Sequence, residues 1–237
     1  MNNWTYDEFE HCGVDYSNKS TADQYDNDHE EFRNYEQEAK DLLQKLSLKN
    51  SKDMSLIDLG CGTGAISIAI SKHFKQLFAV DISDEMLLIA KKKAKDQGID
   101  NISFINSGFL TYEHKEAPAD IVISKAALHH LPDFWKQIAL MKINKMLKMN
   151  GRFYLFDIAY HFAPQEYEET INSWIQKFES IAGGSFKKEV ETHIRDEFST
   201  FSWIIEKMLK EAGFSIDQVI SPDKMQTEYF CTKIKEI

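Results

Sequence analysis

Short apolar runs, several closed by an acid, alternate through the middle of this chain with longer stretches whose apolar residues recur every third or fourth position. The run at 55–58 reads as the end of a strand buried on both faces, and those at 76–81, 102–106, 119–124 and 152–157 read as further strands. Between the first two, 65–74 is apolar and ends in cations, as a helix packed on a sheet does. Ser83 predicts the cap of a helix from Asp84 to about Gln97. Its inner face is Met86, Ile89, Ala90 and Ala94, its solvated face carries Lys91, Lys92, Lys93 and Lys95, and Gly98 stops it. Asp133 predicts another cap, for a helix that turns Ile138, Ala139, Ile143, Met146 and Leu147 inward and has Gly151 beyond its end. Strands alternating with helices of this length imply βαβ units, and so an α/β fold with a parallel sheet and right-handed crossovers.

Outside this middle the period changes. Residues 1 to about 27 are polar, with Trp4, Tyr6, Phe9, Tyr16 and Tyr25 scattered among Asp and Asn, which predicts a segment lying over the rest of the chain. From Asp28 to about Asn50, Phe32, Tyr35, Ala39, Leu42, Leu43 and Leu46 recur at helical spacing. Between 159 and 197 no strand is predicted. Tyr167, Ile171, Trp174, Ile175, Phe178 and Ile181 predict one helix, closed by Gly183-Gly184 and too short for a core of its own. Ser199 predicts the cap of a helix through about Ala212, ended by Gly213, and 214–221 and 228–234 predict a hairpin turning at Pro222-Asp223. The expected organisation is one domain: a cap segment and helix over 1–49, a core over 50–158, a helical insertion over 159–198, and a closing helix and hairpin over 199–237.

Composition narrows the partners. With 237 residues, 43% of them hydrophobic, the chain can build one large domain or a core of roughly 150 residues with a cap. A net charge of −10 argues against nucleic acid and anionic membrane and leaves small molecules. Cys12, Cys61 and Cys231 are odd in number and far apart, so neither a disulfide framework nor a zinc knuckle is indicated, and a reducing compartment fits. The acidic start MNNWTYDEFEH does not read as a signal peptide, and no window approaches ~18 uninterrupted apolar residues. The expectation is a soluble cytoplasmic protein, monomer or homodimer, without membrane insertion.

The chemistry concentrates at Met54 to Gly64, MSLIDLGCGTG, where strand, glycine loop and helix start follow one another. In open α/β sheets that corner binds nucleotide-like ligands. Gly60-x-Gly62-x-x-Ala65 satisfies a dinucleotide fingerprint, with Asp81 placed as its ribose acid, so an NAD-dependent oxidoreductase is one reading. Asp58, immediately before the loop, is poorly placed for a pyrophosphate and well placed for a cationic group.

DLGCGTG at Asp58 to Gly64, VDIS with its acid at Asp81, and ALHHLPD at Ala127 to Asp133 together resemble the class I S-adenosylmethionine-dependent methyltransferases, of the small-molecule type acting in ubiquinone and menaquinone biosynthesis. The resemblance is strong over about residues 50–158, and STFSWIIEKMLKEAGF is similar to the family's closing elements. It implies a Rossmann-like, doubly wound, seven-stranded sheet, mostly parallel with an antiparallel last strand. It also implies S-adenosylmethionine as methyl donor and a small-molecule acceptor. By the same resemblance Gly60, Cys61, Gly62 and Gly64 wrap the methionine and ribose part, Asp58 holds the ammonium, Asp81 accepts the ribose hydroxyls, and Ile82 and Met86 line the adenine. Where the family often has an acid for the adenine amino group this chain has Gly108, with Asn106 or Ser107 as substitute acceptors and Phe109 to stack on the ring. Ser124, Tyr25 and Arg33 complete the expected cofactor set, the last two, with Tyr16, closing over it from the N-terminal segment.

Methyl transfer from a sulfonium needs alignment, exclusion of water and, for a protonated nucleophile, a base. Lys125, His129 and His130 follow the fourth strand toward the ligand crevice, and His129 is the candidate substrate contact or base. Adjacent histidines are expected to point apart, and Cys61 to fill space beneath the loop. His161 and His193, with Asp157, Glu191, Asp196 and Glu197, match no compact metal-ligand spacing and read as solvated surface, so no metal is expected. Trp174, Phe178, Phe162 and Tyr167 belong to a substrate lid, either as its core or as the wall of an apolar pocket. Two rival readings stand beside the methyltransferase: the NAD-dependent oxidoreductase, and a noncatalytic cofactor-binding protein.

Overall fold

The first expected strand is β1 (Ser55–Leu59) of the computed structural model, which describes residues 4–10, 12–30, 34–48 and 51–237. Leu56, Ile57, Asp58 and Leu59 are all buried, as a strand covered on both faces requires. It pairs in parallel with β2 (Gln76–Asp81) on one side and β4 (Ala119–Lys125) on the other. Beyond them lie β3 (Ile102–Asn106) and β5 (Leu147–Asp157), also parallel. The closing hairpin, β8 (Phe214–Ile220) and β9 (Thr227–Lys233), inserts β9 antiparallel against β5. The seven-stranded order is β3-β2-β1-β4-β5-β9-β8.

Successive side chains of β1 serve opposite layers. Leu56 packs with Ala39, Leu42 and Leu46 of α2 (Tyr35–Leu46), and with Ile70, the last residue of α3 (Ala65–Ile70). Ile57 and Leu59 face Ala139, Leu140 and Ile143 of α5 (Asp133–Met146) and Ile205 and Leu209 of α7 (Ser202–Glu211). Fully burying one such side chain is worth about 1.5–3 kcal/mol. On the first layer α4 (Asp84–Asp96) starts at Ser83, whose hydroxyl accepts from Met86 N at 3.2 Å as expected.

Several boundaries differ from the sequence expectation. The N-terminal segment contains α1 (Lys19–Glu30), and α2 starts afresh at Tyr35 with Asn34 as its cap; the interval holding Phe32 and Arg33 lies outside the described residues. Asp133 is the first residue of α5 rather than its cap, Pro132 preceding it, and α5 runs directly into β5, so that Gly151 sits inside a strand. Gly183-Gly184 does not close the inserted helix: α6 continues over Tyr167–Asp196. A two-residue strand, β6 (Ala159–Tyr160), pairs with β7 (Thr200–Phe201), which displaces the start of α7 from Ser199 to Ser202. Trp174 and Val190 of α6 form a small separate cluster with Met225. Among the described residues no helix is long and apolar enough to cross a membrane.

Candidate functional site

At the carboxyl end of β1 the chain turns through Gly60, Gly62 and Gly64, each at positive φ. Gly60 N and Cys61 N both donate to Val80 O, at 2.8 and 3.1 Å, which lashes the loop to β2. A side chain at Gly60 would meet Ala127 Cβ well inside contact distance, at a φ of +76° that L residues rarely adopt. Gly60→Ala is therefore expected to cost roughly 2–4 kcal/mol, from left-handed backbone strain and from pushing away the loop that carries His129. Urea denaturation checks this, and a loss below 1 kcal/mol would falsify the close-approach account. Gly64 faces α4 instead, where an added Cβ would lie 2.9 Å from Ala90 Cβ. It is thus a packing glycine, and unlike Gly60 and Gly62 it does not line the adjoining cavity.

That cavity, about 550 Å³, opens over the loop. Asp58, Gly60, Cys61, Gly62, Asp81, Ile82, Met86, Ser107, Gly108, Phe109, Tyr25 and His129 of the expected set all line it. Ser124 does not: it is buried inside β4, and the residues on either side, Ile123 and Lys125, reach the cavity instead, by the alternation of a strand. Arg33 lies outside the described residues. Cys61 is among the residues that line the cavity, its thiol donates to Gly62 O at 3.7 Å, and burial with Asp81 and Asp58 nearby pushes it well above the ordinary value. Trp174 and Phe178 form part of the wall, whereas Tyr167 is exposed and Phe162 packs on Tyr160 and Phe201.

Two buried carboxylates flank the loop. Asp81 accepts from Gly62 N at 2.7 Å and from Ser83 N at 2.9 Å, and burial raises its pKa while these amides pull it back. Asp58 accepts from Ser67 Oγ at 2.6 Å; burial pushes it up to about 7, Ser67 partly offsetting this and Asp81 adding to it. Lys125, the cation toward Asp58, is paired with Glu38.

The N-terminal segment supplies what sequence reasoning missed. Buried Glu8 accepts from Leu110 N, Thr111 N and Thr111 Oγ1, at 3.0, 2.8 and 2.7 Å, and its carboxylate lies against Gly108, where any Cβ would collide with it. Ser107 Oγ pairs with Thr111 Oγ1 at 2.9 Å, and Asn106 donates to Ile82 O at 2.9 Å. Asp26 of α1 takes Thr63 Oγ1 at 2.6 Å and Lys93 Nζ at 2.8 Å, so one of the α4 lysines clamps α1 over the loop rather than facing water. No motif marks Glu8 or Asp26; each is one acid among many in a polar stretch.

At the other end of the cavity, residues expected on the surface are buried together. His129 Nδ1 lies 2.5 Å from Asp157 Oδ1, and its Nε2 lies 3.2 Å from Glu197 Oε2, which also takes His193 Nδ1 at 2.6 Å. His130 Nδ1 stands 3.9 Å from Glu197 Oε1, so the adjacent histidines approach one carboxylate instead of pointing apart, their rings 4.4 Å from centre to centre. Burial alone would lower the His129 pKa, but Asp157 and Glu197 outweigh it and raise the value to about 9. Burial and the neighbouring His129 lower His130 to about 3. Burial opposes ionisation of Glu197, yet hydrogen bonds from His129 and His193 hold it below the usual carboxylate range. His129 thus has both ring nitrogens engaged by carboxylates, Asp157 and Glu197, whose charge favours its protonated form. His161 bonds Ser202 Oγ at 3.1 Å and takes no part in this cluster.

Residues 50–213 match the family described as methyltransferase domain. An uncharacterized methyltransferase of Bacillus subtilis (strain 168) is 30% identical over 111 residues, which are 47% of this chain and 42% of that relative, so this match spans less than half of the relative's length. A demethylmenaquinone methyltransferase of Lactococcus lactis subsp. lactis (strain IL1403) is 24% identical over 184 residues, 73% of this chain and 72% of the relative. Among solved structures, magnesium protoporphyrin IX methyltransferase from Synechocystis PCC 6803 with bound SAH superposes with a TM-score of 0.68 at 18% identity, covering 92% of this chain and 96% of that one.

Proposed function

We propose, from the premise that this chain belongs to the methyltransferase-domain family, that it moves a methyl group from S-adenosylmethionine to a small-molecule acceptor. The observation that carries this reading is Asp58: a carboxylate buried at the mouth of a glycine loop and bonded by Ser67, while Lys125, the cation acting on it, is paired with Glu38. An aminoacyl ammonium supplies a further cation; a dinucleotide pyrophosphate would repel the carboxylate. When bound, S-adenosylmethionine supplies a methyl group already activated for in-line displacement. Asp58 pairs its ammonium, Gly60, Cys61 and Gly62 let its chain approach the backbone, and Asp81 accepts from its ribose hydroxyls. Ile82 and Met86 would line its adenine, and Phe109 would stack on the ring. Glu8, lying over Gly108, brings a carboxylate from the N-terminal segment to the place where the resemblance expects an acid. Tyr25, Trp174 and Phe178 close the cavity against water, and the polar cluster around His129 forms its acceptor end. A lid role for α6 and a cytoplasmic, reducing setting belong to the same reading, the latter supported by three free cysteines.

Isothermal calorimetry tests it. S-adenosylhomocysteine is expected to bind with one-to-one stoichiometry while NADH shows no heat; NADH binding with no response to millimolar S-adenosylhomocysteine would return the chain to the oxidoreductase reading.

A further inference from the structure

We propose that His129, His130 and Glu197 form a divalent metal site of the zinc class at the acceptor end of the cavity. Each offers a ligand atom, and the three atoms lie within 4.8 Å of one another. His129 Nε2 and His130 Nδ1 stand 3.2 and 3.9 Å from the two oxygens of Glu197. Ligands bonded at ~2.0–2.2 Å in a tetrahedron sit about 3.4 Å apart. The His129–Glu197 pair already stands at that spacing, and the widest pair, within 4.8 Å, must come in by at most about 1.4 Å.

The groups behind these three are those a metal site needs. Asp157 holds His129 Nδ1, which fixes the ring and turns Nε2 inward. His193 donates to Glu197 Oε2 and fixes the carboxylate. The independent observation is Glu197 Oε1. It belongs to a side chain with 0% exposure and has no hydrogen-bond partner among the described residues. A buried carboxylate oxygen left in that state is costly unless a cation meets it. Cys12 Sγ donates to His130 O at 3.4 Å and lies 3.8 Å from His130 Nδ1, so a thiol stands beside the ligand atom.

Two imidazoles and one carboxylate suit zinc or cobalt, whereas magnesium and calcium prefer oxygen throughout. Three protein ligands leave a further position, as catalytic zinc sites do. Both histidine rings line the cavity, so that position faces it. Granting the methyltransferase reading, on which this step rests, the ion takes the acceptor's oxygen or sulfur as its remaining ligand and fixes its place.

The full chain, stripped with EDTA and dialysed, is titrated with zinc chloride by calorimetry and with cobalt chloride by visible absorption. One equivalent of zinc is expected at roughly micromolar affinity or tighter, with the cobalt bands of a four- or five-coordinate site. Glu197→Gln, which keeps the shape and removes the charge, is expected to weaken zinc binding at least ~100-fold, and Asp157→Asn about 10- to 100-fold. S-adenosylhomocysteine binding, measured on the same preparations, reports the folded cofactor cavity separately. A preparation that binds S-adenosylhomocysteine and no zinc overturns the metal site and leaves the methyltransferase reading intact; zinc binding without S-adenosylhomocysteine does the reverse. Glu197→Gln binding zinc as tightly as the parent also overturns the assignment. Ethanethiol added to the cobalt protein is expected to bring near-ultraviolet sulfur-to-cobalt absorption, and an unchanged spectrum removes the acceptor from the ion.

Discussion

Asp81→Ala is expected to weaken S-adenosylhomocysteine binding by at least ~100-fold, about 2.7 kcal/mol. One carboxylate performs two tasks here. Its oxygens hold Gly62 N at 2.7 Å and Ser83 N at 2.9 Å, which ties the glycine loop to the start of α4, and the same group borders the cavity. Hydrogen bonds to a charged group are worth about 1.5–3 kcal/mol each, so losing the carboxylate loosens the loop and removes the ribose acceptor together. Asp81→Asn keeps one accepting oxygen and is expected to fall between parent and alanine variant. Calorimetry gives the affinity and circular dichroism confirms the fold; an alanine variant within threefold of the parent refutes the assigned role.

The second large effect is in pH. With Asp58 near 7 in the cofactor-free protein, its ionised fraction rises about tenfold between pH 6 and pH 8. Binding that requires the carboxylate is expected to strengthen by roughly that factor over the same interval, with about one proton released near pH 6. The sign for stability is the opposite. Because the folded pKa lies above the unfolded one, the folded cofactor-free protein holds an extra proton between about pH 4 and 7; the associated stability is full below about pH 4 and is lost as pH rises through about 7. An ammonium beside Asp58 cancels that loss, so the rise in melting temperature on adding S-adenosylhomocysteine should grow from pH 6 to pH 8. Asp58→Asn should bind weakly and without this slope. A parent protein whose affinity is flat from pH 6 to pH 8 rules out the pairing.

The core was readable because its signals are local. The strands β1, β2 and β4 are marked by short runs rich in apolar residues, α4 has its cap at Ser83 and its stop at Gly98, and the carboxylates Asp58 and Asp81 lie at the ends of their strands beside the glycines. What stayed hidden depends on contacts between distant residues. The α1 stretch, KSTADQYDNDHE, has no apolar face, and among its described side chains only Ala22 is buried; it is held by Asp26 on Thr63 and Lys93. Two glycines weaken a helix by about 1 kcal/mol each, yet α6 runs through Gly183-Gly184, tertiary context overriding propensity. The cluster of His129, Asp157, His193 and Glu197 joins residues from a loop, a strand end and the end of α6, and no spacing along the chain records that meeting.

The anchoring of Glu8 bears on how the protein is made. Its partners at Leu110 and Thr111 follow it by 102 and 103 positions, so Glu8 leaves the ribosome long before the amides it must bind exist. The segment carrying Glu8 can therefore dock only once residues 110 and 111 have been made, and its docking closes a loop of that length. Until then Gly108, which the Glu8 carboxylate covers in the finished fold, is bare on that side.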